Sequence, residues 1–135
     1  MAYVIGIVLA LAVSTYATLL QLDRDRAFYP TVLIVIAAYY VLFAAMGGSG
    51  RVMIIESFVA VVFVVAASLG FRRSLWLVVA ALAAHGVQDF FHARLVANPG
   101  VPAWWPAFCG TYDVVAAGYL AWRLTRHQAR LVPGA

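Results

Sequence analysis

Five long runs of apolar residues, separated by short polar breaks, make up most of the chain. The runs cover residues 2–22, 30–46, 52–69, 74–92 and 105–122. A helix needs about 20 mostly apolar residues to cross the hydrocarbon core of a bilayer, and each run is close to that length. The pattern therefore predicts an all-α integral membrane protein, in which residues 1–135 form a single domain, a compact bundle of five transmembrane helices.

The breaks between the runs contain residues that end helices or carry charge. They are residues 23–26 (DRDR), 47–51 (GGSGR), 70–73 (GFRR) and 98–102 (NPGVP). Pro30 and Pro106 fall in the first turns of the predicted second and fifth helices, where a missing N–H costs little. The first run has no basic segment before it and no small-residue cleavage site, so we expect a retained helix and not a signal peptide.

Composition supports a membrane location and excludes several kinds of chemistry. The chain is 66% hydrophobic and 10% charged, whereas soluble domains are about half apolar and a quarter charged. All nine basic residues are arginine, which excludes a lysine Schiff base, and the single Cys109 cannot form an internal disulfide. The arginines lie in short loops and form no soluble basic face, so the expected partners are membrane lipids and not nucleic acid.

The arginines also predict an orientation. With five spans, one side of the membrane receives seven of them: Arg24, Arg26, Arg72, Arg73, Arg123, Arg126 and Arg130. The other side receives Arg51 and Arg94. The positive-inside rule then places the N-terminus outside and the C-terminus inside a bacterial-type plasma membrane. In this arrangement residues 23–26 are expected to form a solvated turn beside the membrane.

The segment HGVQDFFH, residues 85–92, places three polar side chains inside the fourth apolar run. At 100° per residue His85, Asp89 and His92 fall on one narrow stripe of a helix, with about 10 Å between the two histidines along the axis. All three side chains can therefore face the same neighbouring helix.

Two further acidic residues fall at a similar depth in other spans. Helical rise places Glu56 roughly 6–8 Å and Asp113 roughly 12 Å below the outer surface. Ionisable groups in hydrocarbon are costly and normally face the interior of a bundle or a water-filled cavity. The sequence therefore predicts a shared polar site that is open to the outer face. Four further residues in the same half can add polar groups to it, namely Cys109, Tyr112, Tyr39 and Tyr40.

Imidazole and carboxylate groups together favour a metal site. His85, Asp89, His92 and Asp113 are the predicted ligands of a divalent metal, zinc before others, because zinc accepts nitrogen and oxygen donors. Glu56 is the predicted general base. A metal-bound water would then attack a lipid-like substrate or another amphiphile that reaches the site from the outer leaflet.

A metal site made from His and Asp of several membrane helices resembles that of intramembrane hydrolases of the alkaline ceramidase and adiponectin-receptor class. The resemblance implies zinc-dependent hydrolysis. That class has seven spans and its motifs do not align with this chain, so its functional residues are not transferred here. The spacing HxxxDxxH also differs from the HExxH motif of zinc proteases.

Two other interpretations remain open from the sequence. The same groups can form the coupling site of a small proton-coupled carrier, because histidine and buried carboxylates exchange protons near neutral pH. Alternatively, Asp89 pairs with His85, and Asp113 pairs with His92, as polar contacts that hold a non-catalytic assembly protein together. Small residues four apart, such as Gly6 and Ala10, favour close helix packing, either within one subunit or between two copies in a homodimer.

Overall fold

The computed structural model describes residues 1–47 and 49–131, with side chains as far as Gln128, so the side chain of Arg130 lies outside the described part. Those residues form five α-helices and no strand, which confirms the predicted all-α class. The helices are α1 (Ala2–Leu19), α2 (Phe28–Met46), α3 (Gly50–Arg72), α4 (Leu75–Leu95) and α5 (Trp105–Leu131).

The helix ends follow local chemistry. Ser49 and Ser74 precede α3 and α4, and their hydroxyl groups accept backbone N–H bonds from Val52 and Trp76, as N-cap residues do. The first helix ends earlier than the predicted residue 22. Gln21 there has a φ of 59°, a left-handed conformation that a helix cannot continue through.

Four helices, α1 to α4, are long and apolar enough to cross a membrane among the residues that the structure describes. The fifth helix is long but less apolar, because it continues well beyond the predicted end at residue 122 into a polar segment. It nevertheless packs between α1 and α4. Composition thus supports four spans directly, and packing places α5 inside the bundle with them.

The helices pack in the spatial order α1, α5, α4, α3, α2. Although α1 and α2 are consecutive in the chain, they make few contacts with each other. A lateral groove therefore opens between them, with α5 behind it.

The interior of the bundle divides into an apolar half and a polar half. The apolar half lies toward the α1–α2 and α3–α4 connections and contains Tyr29, Leu33, Ala37, Phe63, Ala67, Val78, Ala81, Leu82, Ala117 and Leu120. The polar half lies toward the α2–α3 and α4–α5 connections. Glu56, His85, Asp89, His92 and Asp113 are all in that half.

Two glycines allow α4 and α5 to approach closely in the polar half. A Cβ atom added at Gly86 would lie 2.8 Å from the carbonyl oxygen of Gly110, and one added at Gly110 would lie 2.9 Å from that of Gly86. Both distances are too short for a real side chain. The close approach depends on the absence of a Cβ atom on either helix.

The run DRDR is a solvated turn only in part. Arg24, Asp25 and Arg26 are exposed, whereas the side chain of Asp23 is 2% exposed and forms an ion pair with Arg123 of α5. The Thr18 hydroxyl lies 3.0 Å from Asp23 Oδ2 and accepts a hydrogen bond of 3.1 Å from Arg123. This contact joins the end of α1 to α5, because a buried carboxylate needs a charged partner.

Candidate metal centre

The five residues singled out in the sequence lie in one buried network. Their exposed fractions are 1% for Glu56, 1% for His85, 1% for Asp89, 2% for His92 and 0% for Asp113. The predicted opening to the outer face is therefore wrong for this structure. One physical reason is that Asn98, from the α4–α5 connection, is drawn into the same network and covers it.

His85 lies between two carboxylates. Its Nδ1 atom is 2.7 Å from Asp113 Oδ2 on α5 and 3.7 Å from Asp89 Oδ2 one turn along α4. The first distance is a hydrogen bond and the second is too long for one. Phe63 packs edge-on against the imidazole, with 4.7 Å between ring centroids. The His85 ring therefore contacts an apolar side chain as well as the two carboxylates.

Four side chains come close enough to share an ion. One potential ligand atom from each of His85, Asp89, Cys109 and Asp113 lies within 4.8 Å of all the others. In a tetrahedral zinc site with bonds of 2.0–2.3 Å, neighbouring ligand atoms are about 3.4 Å apart. Side-chain movements that shorten the longest of these separations by up to about 1.4 Å would therefore give coordinating geometry. We call this set the metal group.

Two carboxylate oxygens of the metal group have no hydrogen-bond partner within the described part of the chain. They are Asp89 Oδ2 and Asp113 Oδ1, and both are buried. A buried polar atom without a partner costs free energy, and a buried carboxylate without a counter-charge costs more. A cation or a proton near these two oxygens would remove that cost.

The remaining predicted residues form a second set, the outer trio of Glu56, His92 and Asn98. Glu56 Oε1 lies 2.8 Å from His92 Nε2 and accepts a hydrogen bond of 3.0 Å from Asn98 Nδ2. The pairing of His92 with Asp113, which belonged to the alternative of a non-catalytic assembly protein, is wrong, because His92 bonds to Glu56 on α3 while Asp113 bonds to His85. His92 and Glu56 are therefore beside the metal group and not within it.

Tyr40 connects the metal group to the outer trio. Its hydroxyl donates a 2.7 Å hydrogen bond to Asp89 Oδ1, and its ring stacks on His92 with 4.0 Å between centroids. Its carbonyl oxygen accepts a 3.2 Å bond from Asn98. A single residue of α2 thus positions one member of the metal group and two members of the outer trio.

Two of these residues had different expected roles. Cys109 was expected only to line the pocket, although its spacing of one turn from Asp113 indicates a shared helix face. Asn98 was assigned to a helix-breaking loop, and no periodicity predicts where a loop side chain points. Tyr39 does not join either set and instead packs against Trp105, with 4.8 Å between ring centroids.

Comparisons with protein-family models, curated proteins and solved structures found no match for this chain.

Proposed function

We propose that the protein is an integral membrane protein that holds one divalent transition metal ion in the metal group. The observation that carries this proposal is the pair of buried carboxylate oxygens on Asp89 and Asp113 that lack partners among the described residues. A divalent cation between them supplies the missing positive charge, and His85 and Cys109 supply two further ligands at the same point.

The donor set favours zinc over magnesium or calcium. One imidazole, one thiol and two carboxylates give a mixed set of nitrogen, sulphur and oxygen ligands, which is suited to zinc and other late transition metals. Magnesium and calcium prefer oxygen ligands alone. The Cys109 thiol is therefore the group that sets this preference, through its thiolate form.

Retention of the metal is better supported than hydrolysis. Four protein ligands complete the tetrahedral shell of zinc, whereas a hydrolytic site keeps one position for water. Glu56, the candidate base, bonds to His92 and Asn98 through Oε1 and lies outside the metal group. Hydrolysis of a lipid would require one ligand to leave the ion and Glu56 to approach it, so it ranks second.

Transport is also less well supported. The half of the bundle beyond the metal group is filled by apolar side chains, among them Leu33 and Leu82 at 0% exposure. A metal ion or proton that crossed the protein would have to pass this region, where an isolated charge is costly. We therefore propose a resident ion and not a carried one.

The proposed membrane arrangement has α5 as a fifth span, the N-terminus outside and the C-terminus inside a plasma membrane of bacterial type. It rests on the arginine distribution and on the position of α5 between α1 and α4. The metal group then lies in the outer half of the bilayer.

Metal analysis of the detergent-purified protein tests the proposal. We expect about one zinc ion per chain in the wild type, as in a closed four-ligand site. Asp113→Asn, Cys109→Ser and His85→Ala should each lose most of it. His127→Ala is the matched control for His85→Ala, because His127 is exposed on α5, and the His127→Ala variant should keep the metal.

The competing interpretations give different results. If the polar residues only hold the helices together, the wild type contains no metal after equilibration with zinc, and Asp113→Asn still lowers the unfolding temperature. A metal-free wild type of normal stability would end the proposal. Zinc uptake into protein-containing vesicles, lost in Glu56→Gln, would favour a carrier.

A further inference from the structure

The groove between α1 and α2 is a second feature of the molecule that the metal group does not explain. It has a volume of about 1080 Å³. Its two sides come from α1 and α2, for example at Leu9 and Val35, and its floor comes from α5 at Phe108, Cys109 and Tyr112. Its lining is almost entirely apolar, and it opens sideways, where the membrane would be.

The two ends of the groove differ. At one end the α1–α2 connection closes it, because Leu22, Asp25 and Ala27 belong to the lining. At the other end Trp104 and Trp105 contribute indole rings. The groove is thus closed at the α1–α2 connection and lined by indole rings at its other end. We call the end at Trp104 and Trp105 the aromatic mouth.

We propose that this groove binds the hydrocarbon chain of a membrane amphiphile, with its oxygen-bearing head group at the Trp104–Trp105 end. A transmembrane helix, from a partner or from a second copy of this chain, is the other candidate occupant. Such a helix is about 10 Å across with its side chains and would have to continue past the closed end. A hydrocarbon chain can stop there.

The groove runs along the whole length of α1. Its lining begins at Ala2, the first residue of α1, and reaches Leu22 beyond the last residue of that helix, which is at least about 25 Å at the rise of an α-helix. This length is close to the thickness of the hydrocarbon core, about 30 Å, so a long hydrocarbon chain can lie along the groove. In the proposed orientation the aromatic mouth is at the outer surface, so the amphiphile comes from the outer leaflet.

The mouth also offers a hydrogen-bond donor. The Trp105 indole N–H is buried and has no acceptor within the described part of the chain, although buried indole N–H groups usually find one. An ester, carboxylate or hydroxyl oxygen of a lipid head group is an acceptor of the required kind. Tyr39 packs against the Trp105 ring and keeps it at the mouth.

The groove and the metal group share Cys109, which lines the groove and is also one of the four potential ligands. Lipid binding does not require the metal, however. The experiment below uses protein stripped of metal by a chelator, so its outcome is independent of the metal proposal.

Photolabelling in vesicles tests the inference. The protein is reconstituted into phosphatidylethanolamine–phosphatidylglycerol vesicles that contain a small fraction of a phosphatidylcholine with a diazirine on one acyl chain, and labelled peptides are identified by mass spectrometry. We expect groove residues such as Leu9 and Val35 to be labelled several times more than the exposed α3 face, because a bound chain stays beside them. Val35→Trp should fill the groove and remove this excess.

Val61→Trp is the matched control. Val61 is 57% exposed on α3 and Val35 is 49% exposed on α2, and both are at a similar depth from the ends of their helices that meet at the α2–α3 connection. The control should leave groove labelling unchanged. Leu9→Trp, which fills the groove from α1, repeats the test if Val35→Trp does not fold.

The head-group contact has its own variant. Trp105→Phe removes the indole N–H and keeps an aromatic ring, so groove labelling should fall about fivefold, the effect of one lost hydrogen bond. Equal labelling of the groove and the α3 face, unchanged by Val35→Trp and Leu9→Trp, would overturn the inference.

Discussion

At the scale of single residues, Tyr40 has the clearest expected effect on the metal. Its hydroxyl holds Asp89 through Oδ1, and partners of this kind orient a metal ligand and raise its affinity. Tyr40→Phe should weaken zinc binding about 10- to 100-fold, the usual cost of losing such a partner. A competition titration against a chromophoric chelator measures the change.

The neighbouring residue provides the control for this substitution. Tyr39 contacts Phe43 and Trp105 and belongs to neither polar set. Tyr39→Phe should therefore leave the zinc affinity unchanged. Equal affinity in Tyr40→Phe and the wild type would show that Asp89 does not need this hydrogen bond to bind the ion, or that it is not a ligand.

The sequence predicts which residues belong to this site better than it predicts how they pair. The helical stripe of His85, Asp89 and His92 and the common depth of Glu56 and Asp113 follow from periodicity, and the structure gathers all five. Their pairing does not follow, because helix rotation and tilt decide which of two carboxylates meets each imidazole. The position of the Asn98 side chain could not be predicted for a different reason, since it depends on a loop conformation.

At the scale of helices, the contact between α4 and α5 determines whether the metal group exists. The two helices carry all four of its members, and Gly86 and Gly110 set their separation. A Cβ atom at Gly86 would also lie 3.1 Å from Asp113 Cβ. Gly86→Ala should therefore push the helices apart, lower the free energy of unfolding by about 1–3 kcal/mol and reduce the zinc content.

Gly118 is the matched control because it lies on α5, and a Cβ atom there would meet no described atom within 4 Å. Gly118→Ala should keep the zinc and stabilise the protein by up to about 1 kcal/mol, since alanine favours helix more than glycine does. Unfolding in mixed micelles, followed by circular dichroism, measures both variants. If Gly86→Ala behaves like Gly118→Ala, the glycine contact does not control the site.

Helix positions were easier to predict than helix contacts. Four apolar runs became helices of nearly the predicted extent because a span needs a continuous apolar stretch. The contact at Gly86 and Gly110 was not foreseen, since small residues are frequent throughout this chain. Ala80 and Ala84 illustrate the ambiguity, because they have the same spacing as Gly6 and Ala10 but are exposed.

At the scale of the whole molecule, the separation of polar and apolar halves gives the bundle a direction. The metal group and the outer trio are near the α2–α3 and α4–α5 connections, and the Asp23–Arg123 ion pair is at the opposite end. That opposite end also carries Arg24, Arg72 and Arg73. These arginines and the metal group therefore lie at different ends of the bundle. The orientation of the bundle in the membrane decides which compartment lies nearest the metal group.

Reporter fusions at two positions test the orientation and the number of spans together. Alkaline phosphatase fused after Gly100 should be active, because the α4–α5 connection is expected outside, and a fluorescent protein fused after Ala135 should fluoresce, because the C-terminus is expected inside. If α5 lay along the surface instead of crossing, both positions would be on one side. Each reporter is also fused at the other position. Fluorescence at both positions would contradict the fifth span and the outer location of the α4–α5 connection, and phosphatase activity at both would contradict the fifth span and the inner location of the C-terminus. Only phosphatase activity after Gly100 together with fluorescence after Ala135 agrees with a five-span bundle whose metal group lies in its outer half.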